Sequence, residues 1–215
     1  METPVFETPI SPPWITIWTS PRKTIRQLVE RDPTYLVYRL AALAGVSEGL
    51  SQAARRNWVE GGSLPFFLVM IFLAAPLASI ISQEIGALLL SWAGRQFGGV
   101  GSTTEVRTVL AWARVPEIAL IPLLGVKFLI YAYHFLATAP PRSDFTHPLV
   151  IVIVFLIVFA ELIAAFCSFV ISIQGLAEVH ELSVWKALVA SFLPVLIILV
   201  PFMCLLFLIS DPLGF

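Results

Sequence analysis

Apolar residues run almost unbroken through five stretches of this chain, roughly 35–53, 64–93, 116–136, 148–176 and 184–209, with polar residues gathered between them. A helix rises about 1.5 Å per residue and a hydrocarbon core is about 30 Å thick, so about 20 such residues cross it. In lipid the backbone must satisfy its own hydrogen bonds, which leaves helices as the form for such runs. The pattern predicts an all-α polytopic membrane protein with five transmembrane helices plus two short interfacial amphipathic helices. These form one integral domain over 14–209, after a proline-rich flexible tail (1–13) and before a short external C-terminus (210–215).

The polar connections carry local signals. Trp14 and Trp18 are of the type that settles at headgroup level. Ser20-Pro21 reads as an N-cap and first helical residue. The helix after it sets Ile25, Leu28 and Val29 on one face and Arg22, Lys23, Arg26 and Glu30 on the others. That is the first interfacial helix, the plainer alternative being a solvated helix packed on the span bundle. Asp32-Pro33 repeats the cap signal and opens the first span. Ser102-Thr-Thr-Glu105 is a capping box. From Thr103 to Leu136 a continuous helix would be about 51 Å long, too long for the bilayer. Pro116 is the predicted break. Residues 103–114 then form the second in-plane helix, with Arg107 and Arg114 facing headgroups and Val109, Leu110 and Trp112 facing bilayer or bundle. Ser183 caps the last helix, where Pro194 and Pro201 predict kinks. Ala41, Gly45 and Gly49 form a small-residue groove, answered by Ala78, Ser82 and Gly86 at the same spacing, so these two faces are expected to pack together within one chain or across a dimer.

Composition fits a membrane solvent: 58% hydrophobic and 13% charged, against roughly 45–50% and 25% in soluble proteins. Net charge is −1, so nothing suggests a nucleic-acid partner. The chain opens with Glu2 and Glu7 and shows no secretory apolar core, so the first span serves as the uncleaved insertion signal. Arg22, Lys23, Arg26, Arg31, Arg95, Arg107 and Lys186 fall on one side, and Arg55, Arg56 and Arg142 on the other. Seven against three places the N-terminus in the cytoplasm and the C-terminus outside, in a cell (inner) membrane. Cys167 and Cys204 lie in antiparallel spans at different depths, beyond the roughly 7 Å reach of a disulfide, and read as packing residues.

No catalytic motif is present. The glycine run at 98–101 lacks the Lys-Ser/Thr ending of a phosphate loop. His134, His147 and His180 have no metal-ligand spacing, so neither metal nor cofactor is expected, and no nucleophile has a paired base. The costly residues are the intramembrane charges Arg39, Glu48, Glu84, Glu117, Lys127 and Glu161. A charge at mid-bilayer costs about 2.5–3.5 kcal/mol on insertion scales, so each is kept inside the bundle, paired or neutral. Estimated depths pair Arg39 or Arg114 with Glu84 or Glu117, and Lys127 with Glu48, leaving Glu161 without a basic partner. Three readings follow: interhelical hydrogen-bonding glue, a proton- or ion-coupled path through Glu48, Lys127 and Glu161, or a cytoplasmic-side docking site around Arg39, Glu84 and Arg107.

Three stretches are similar to one family. Pro13-Trp14…Ile17-Trp18-Thr-Ser-Pro21-Arg22-Lys-Thr-Ile25 resembles the opening motif of the Yip family (Ypt/Rab GTPase-interacting membrane proteins). So do Trp92-Ala-Gly94-Arg95-Gln-Phe-Gly98-Gly99-Val-Gly101-Ser102, continuing to Trp112 and Pro116, and Gly175-Leu-Ala-Glu-Val-His180-Glu-Leu-Ser183-Val-Trp185-Lys-Ala187. The likeness covers about 13–205. It implies five spans with a cytosolic N-terminus and, in eukaryotic members, Golgi and endoplasmic-reticulum membranes with prenylated Rab partners. Those members have a long cytosolic N-terminal region, whereas barely thirty residues precede the spans here. The chain is more similar to the short prokaryotic branch, and Rab binding is not carried over. The expected function is that of a membrane-organising or adaptor protein without catalysis. Its cytoplasmic face, with Trp14, Trp18, Arg22, Lys23, Arg26, Arg95 and Arg107, would meet lipid headgroups, another membrane protein or a second copy. The alternative is a small transporter or lipid-moving protein that uses the intramembrane carboxylates.

Overall fold

A computed structural model describes residues 12–55, 64–136 and 148–210, and every regular element among them is helical. In order these are α1 (Pro13–Thr19), α2 (Pro21–Arg31), α3 (Val37–Arg55), α4 (Leu64–Val69), a π-helical turn (Met70–Ala74), α5 (Ala75–Gln96), α6 (Thr103–Ala113), α7 (Val115–Ala119), α8 (Ile121–Leu136), α9 (Pro148–Val179) and α10 (Val184–Ser210). The expected tail, most of the C-terminal segment, Arg56, Arg142 and His147 lie outside the described residues.

Three of the helices are long and apolar enough to cross a membrane: Pro65–Gln96, Pro148–Val179 and Val184–Met203. A fourth crossing arises if Thr103–Ala119 and Ile121–Ile130, bent by 50° to one another, form one span. That bend lies at Leu120, ahead of Pro122. The helix is also interrupted at Arg114, ahead of Pro116. Each proline removes a helical donor and crowds the preceding turn, so a break is present where Pro116 was expected to make one, but the 50° bend comes later, before Pro122.

Helix α3 does not reach the same apolarity, and its surroundings explain why. It packs on α5, α6, α7, α8 and the π-turn. Leu40, Ala41, Ala44, Ser47, Leu50 and Ser51 are buried by protein rather than by lipid. A helix surrounded by other helices can carry polar residues that a lipid-facing one cannot. Its start is also later than the cap signal suggests. Asp32 Oδ1 accepts from the Thr34 backbone N–H at 2.8 Å and from the Thr34 hydroxyl at 2.6 Å. These bonds close a turn over 33–36 that ends with Leu36 at φ +57° before the helix begins.

Gly45 and Gly49 let α5 approach closely. A Cβ on Gly45 would lie 2.5 Å from Pro76 Cα, and one on Gly49 would lie 3.1 Å from Ile71 Cα. The contact is therefore at Ile71, Ala75 and Pro76, where Pro76 has no N–H to give and the helix widens into the π-turn. Ala41 is buried, whereas Ala78 and Ser82 are exposed and Gly86 faces Leu110 of α6.

At one end the short helices form a compact cap. Ile17, Ile25 and Leu28 from α1 and α2 join Val106, Val109 and Trp112 of α6 and Ile171, Leu176 and Ala177 of α9 in one core. Trp112 is fully buried, stacked with Tyr35 at 6.2 Å and tilted against Trp14 at 5.1 Å. The apolar faces of α2 and α6 are buried against protein. Of the two alternatives for each helix this is packing on the bundle, with Val109 and Trp112 turned inward.

Candidate functional site

A hollow of about 330 Å³, open on one side, is lined by Ser47, Glu48, Ser51, Gln52, Arg114, Glu117, Glu161 and apolar residues of α8 and α9, with Glu48 exposed at its mouth. A second, of about 360 Å³, lies between α3 and α5 beside the π-turn and shares Glu48, Gln52 and Arg114 with the first. Each element delivers its polar group for a local reason. Helix α3 supplies a polar stripe because it is shielded by its neighbours. Arg114 stands where α6 ends and α7 begins, a break imposed by Pro116, and its Nη1 donates to Ser79 Oγ at 3.0 Å. Ser47 Oγ donates to the Glu117 backbone carbonyl at 2.9 Å, tying α3 to α7.

The charge pairing differs from the depth-based expectation. Lys127, only 3% exposed, binds Glu161 at 2.9 and 3.1 Å, and Ser51 donates to the same carboxylate at 3.0 Å. Glu161 thus has a basic partner, and Lys127 does not pair with Glu48. A lysine stem reaches several ångströms along a helix, so a Cα depth in the outer half does not fix where its ammonium lies. Glu84 pairs with Arg107 at 2.7 Å rather than with Arg39 or Arg114. Arg39 is exposed and forms no ion pair with any described residue.

Glu48, Glu117 and Arg114 remain as the charged group of the cavity. Glu117 feels both the attraction of Arg114 and the repulsion of Glu48. No pair of described residues within 4 Å neutralises either carboxylate. Two carboxylates facing one guanidinium in a mixed polar and apolar hollow can hold a molecule that presents both a positive and a negative group. The Arg supplies planar donors suited to phosphate or carboxylate.

The residues expected at headgroups are only partly free. Arg22 bonds Glu178 at 2.7 Å and Arg26 pairs with the same carboxylate, fastening α2 to α9. Arg107 is taken by Glu84, and Arg95 folds back onto the Ser91 carbonyl at 3.2 Å. Lys23 and Arg39 are exposed, and Trp14 and Trp18 are 40% and 47% exposed. Among the described residues no group of three or more His, Cys, Asp or Glu side chains is placed to hold a metal.

One residue carries more than its place in the sequence suggested. His180 caps the end of α9 and is 2% exposed, enclosed by Gly94 in the last turn of α5 and by Gly99 and Gly101 of the α5–α6 connection. Its Nδ1 accepts the Gly101 N–H at 3.1 Å. The available signal was three glycines within eight residues beside a helix end, which reads as flexibility until a ring is found filling the space.

The family model described as the Yip1 domain matches residues 15–205, most of the chain. No curated protein and no solved structure matches it. The match runs from Ile15 in α1 through the cap and the cavity-bearing bundle to Leu205 in α10, and so takes in the cavity residues and the His180 socket, with Trp14 just before its start. The chain belongs to the Yip family.

Proposed function

We propose that this Yip protein crosses the membrane five times with its N-terminus in the cytoplasm, and that it works without catalysis by binding a phospholipid headgroup in its intramembrane cavity. The fifth crossing is α3: at 19 residues it is about 28 Å long, close to the hydrocarbon thickness. The excess of Lys and Arg on the N-terminal side supports the orientation.

One observation carries the binding reading: Glu48, Glu117 and Arg114 share a single hollow that opens on the side of the bundle. A zwitterionic headgroup matches it, its phosphate to Arg114 and its amine to the two carboxylates. Arg22, Arg26 and Arg107 already have carboxylate partners, so the cytoplasmic cap is less available as the headgroup surface. Native mass spectrometry of protein extracted in mild detergent tests the reading. Wild type retains phosphatidylethanolamine, and Arg114→Gln loses it while Arg31→Gln keeps it. Equal retention by Arg114→Gln would remove the cavity as the binding site.

The same carboxylates favour a second reading, proton-coupled transport through the cavity. A pH-driven flux in liposomes that Glu48→Gln and Glu117→Gln abolish would establish it over headgroup binding.

A further inference from the structure

Helix α5 ends in a hydrogen-bonded C-terminal turn. Gly98 at φ +85° follows the cap residue, the Gly99 N–H reaches the Gly94 carbonyl at 3.0 Å, and the Gly98 N–H reaches that of Arg95 at 3.0 Å. Helix α9 ends in the same way, with Glu181 at φ +53°, the Leu182 N–H on the Ala177 carbonyl at 2.9 Å and the Glu181 N–H on that of Glu178 at 3.2 Å. Both are the paired closure that ends many helices. His180 is the cap residue of the second turn, and its ring is inserted into the first.

The insertion is close on three sides. A Cβ added to Gly94, Gly99 or Gly101 would stand 2.3, 2.7 or 2.8 Å from the imidazole. Two hydrogen bonds join the connections: Gly101 N–H to His180 Nδ1 at 3.1 Å and Val100 N–H to the His180 carbonyl at 3.4 Å. Nε2 is buried without a well-formed hydrogen bond, although the Leu90 backbone bears on the ring. Because Nδ1 accepts from a backbone amide, the ring must be neutral with its hydrogen on Nε2. A second proton would turn Nδ1 into a donor facing another donor, inside a socket with no carboxylate against the ring.

We infer that His180 is a proton-sensitive latch joining the α5–α6 and α9–α10 connections, closed when the ring is neutral and released when it is protonated. The charged groups around it are few. Arg95 of α5 opposes protonation and Glu105 of α6 favours it. On its own connection Glu178 is engaged by Arg22 and Arg26 of α2, and Glu181 is exposed. Lys186 of α10 is also exposed. Burial, reinforced by Arg95, holds the imidazole below its ordinary value, which is about 6.5. The released ring therefore binds a proton at a higher pH than the latched one. Latching is complete above the ordinary value and weakens as pH falls towards and through the lowered one.

Val100 is 68% exposed at the tip of the latched connection and can carry a reporter. A nitroxide placed at Val100→Cys, in a chain with Cys167→Ser and Cys204→Ser, reads the mobility of the connection in liposomes. Lowering pH from about 7.5 to about 5, across the range in which histidine titrates, should shift the spectrum reversibly from an immobile to a mobile component. His180→Asn keeps an acceptor near the Nδ1 position without a titrating ring, and its spectrum should lose that pH dependence. A spectrum of the otherwise wild-type chain that is constant over this range overturns the latch. So does a pH response that persists unchanged in His180→Asn. If His180→Asn fails to accumulate, the titration of the His180 chain decides alone.

Discussion

Lys127 and Glu161 illustrate how the bundle tolerates charge. The ammonium is almost fully enclosed and is satisfied by one carboxylate, which Ser51 also supports. Breaking a buried pair from one side leaves an uncompensated charge and typically costs about 3–5 kcal/mol, whereas replacing both partners by apolar residues is often neutral. Glu161→Gln should therefore lower the thermal midpoint in detergent sharply, and the double change Lys127→Met with Glu161→Leu should restore most of it. Equal losses in the two proteins would mean that the ion pair is not what holds α8 to α9. Glu181 gives a test of opposite sign. It occupies a left-handed conformation at φ +53°, which costs a side-chain-bearing residue roughly 1–2 kcal/mol. Glu181→Gly should raise stability by about 1 kcal/mol, as read by thermal unfolding.

The helix pair α3 and α5 meets by close approach at Gly45 and Gly49. Gly45→Ala would drive a methyl group into the Pro76 backbone, with an expected cost of about 1–3 kcal/mol, as for overpacked cores. Gly125 on α8 has open space where its Cβ would be, so Gly125→Ala should be neutral or stabilising by up to about 1 kcal/mol, since alanine favours helix. Comparing the two midpoints separates loss of close approach from a general glycine effect. The groove on α3 was legible in the sequence because small residues recur every fourth position. Its exact meeting point on α5 was not. That point is set by Pro76 and the π-turn, whose widening has no signature in residue spacing. The need for a bend between Thr103 and Leu136 was legible too, but it falls at Leu120 before Pro122 rather than at Pro116, because either proline can break the ladder of hydrogen bonds.

At the scale of the whole molecule, hydropathy identified the membrane as solvent and located the long apolar helices, since burial in lipid demands a continuous run. It could not say which polar faces meet protein. An amphipathic helix such as α2 looks the same whether its apolar side rests on lipid or on α6 and α9, and the difference appears only when distant segments converge. The same holds for His180, whose socket is built from residues about eighty positions away. The polar character of α3 was visible in the sequence, whereas the helices that cover one of its faces, α5 to α8, were not. That packing draws Glu48, Glu117, Glu161 and Arg114 together around one hollow. Reporter fusions should place the ends of the chain on opposite faces of the membrane. Both ends on one face would remove α3 from the spans.

The most direct measurement is the reactivity of a cysteine at Gln52, which lines both cavities, against one at Leu43, an exposed apolar residue on the same helix. Both are made with Cys167→Ser and Cys204→Ser, and the delipidated protein is treated in micelles with a small, charged thiol reagent that does not enter hydrocarbon. Gln52→Cys should react much faster than Leu43→Cys and be slowed by added phosphatidylethanolamine. Equal, slow reaction at both positions would mean that the interior of the bundle is dry and that no polar cavity exists there.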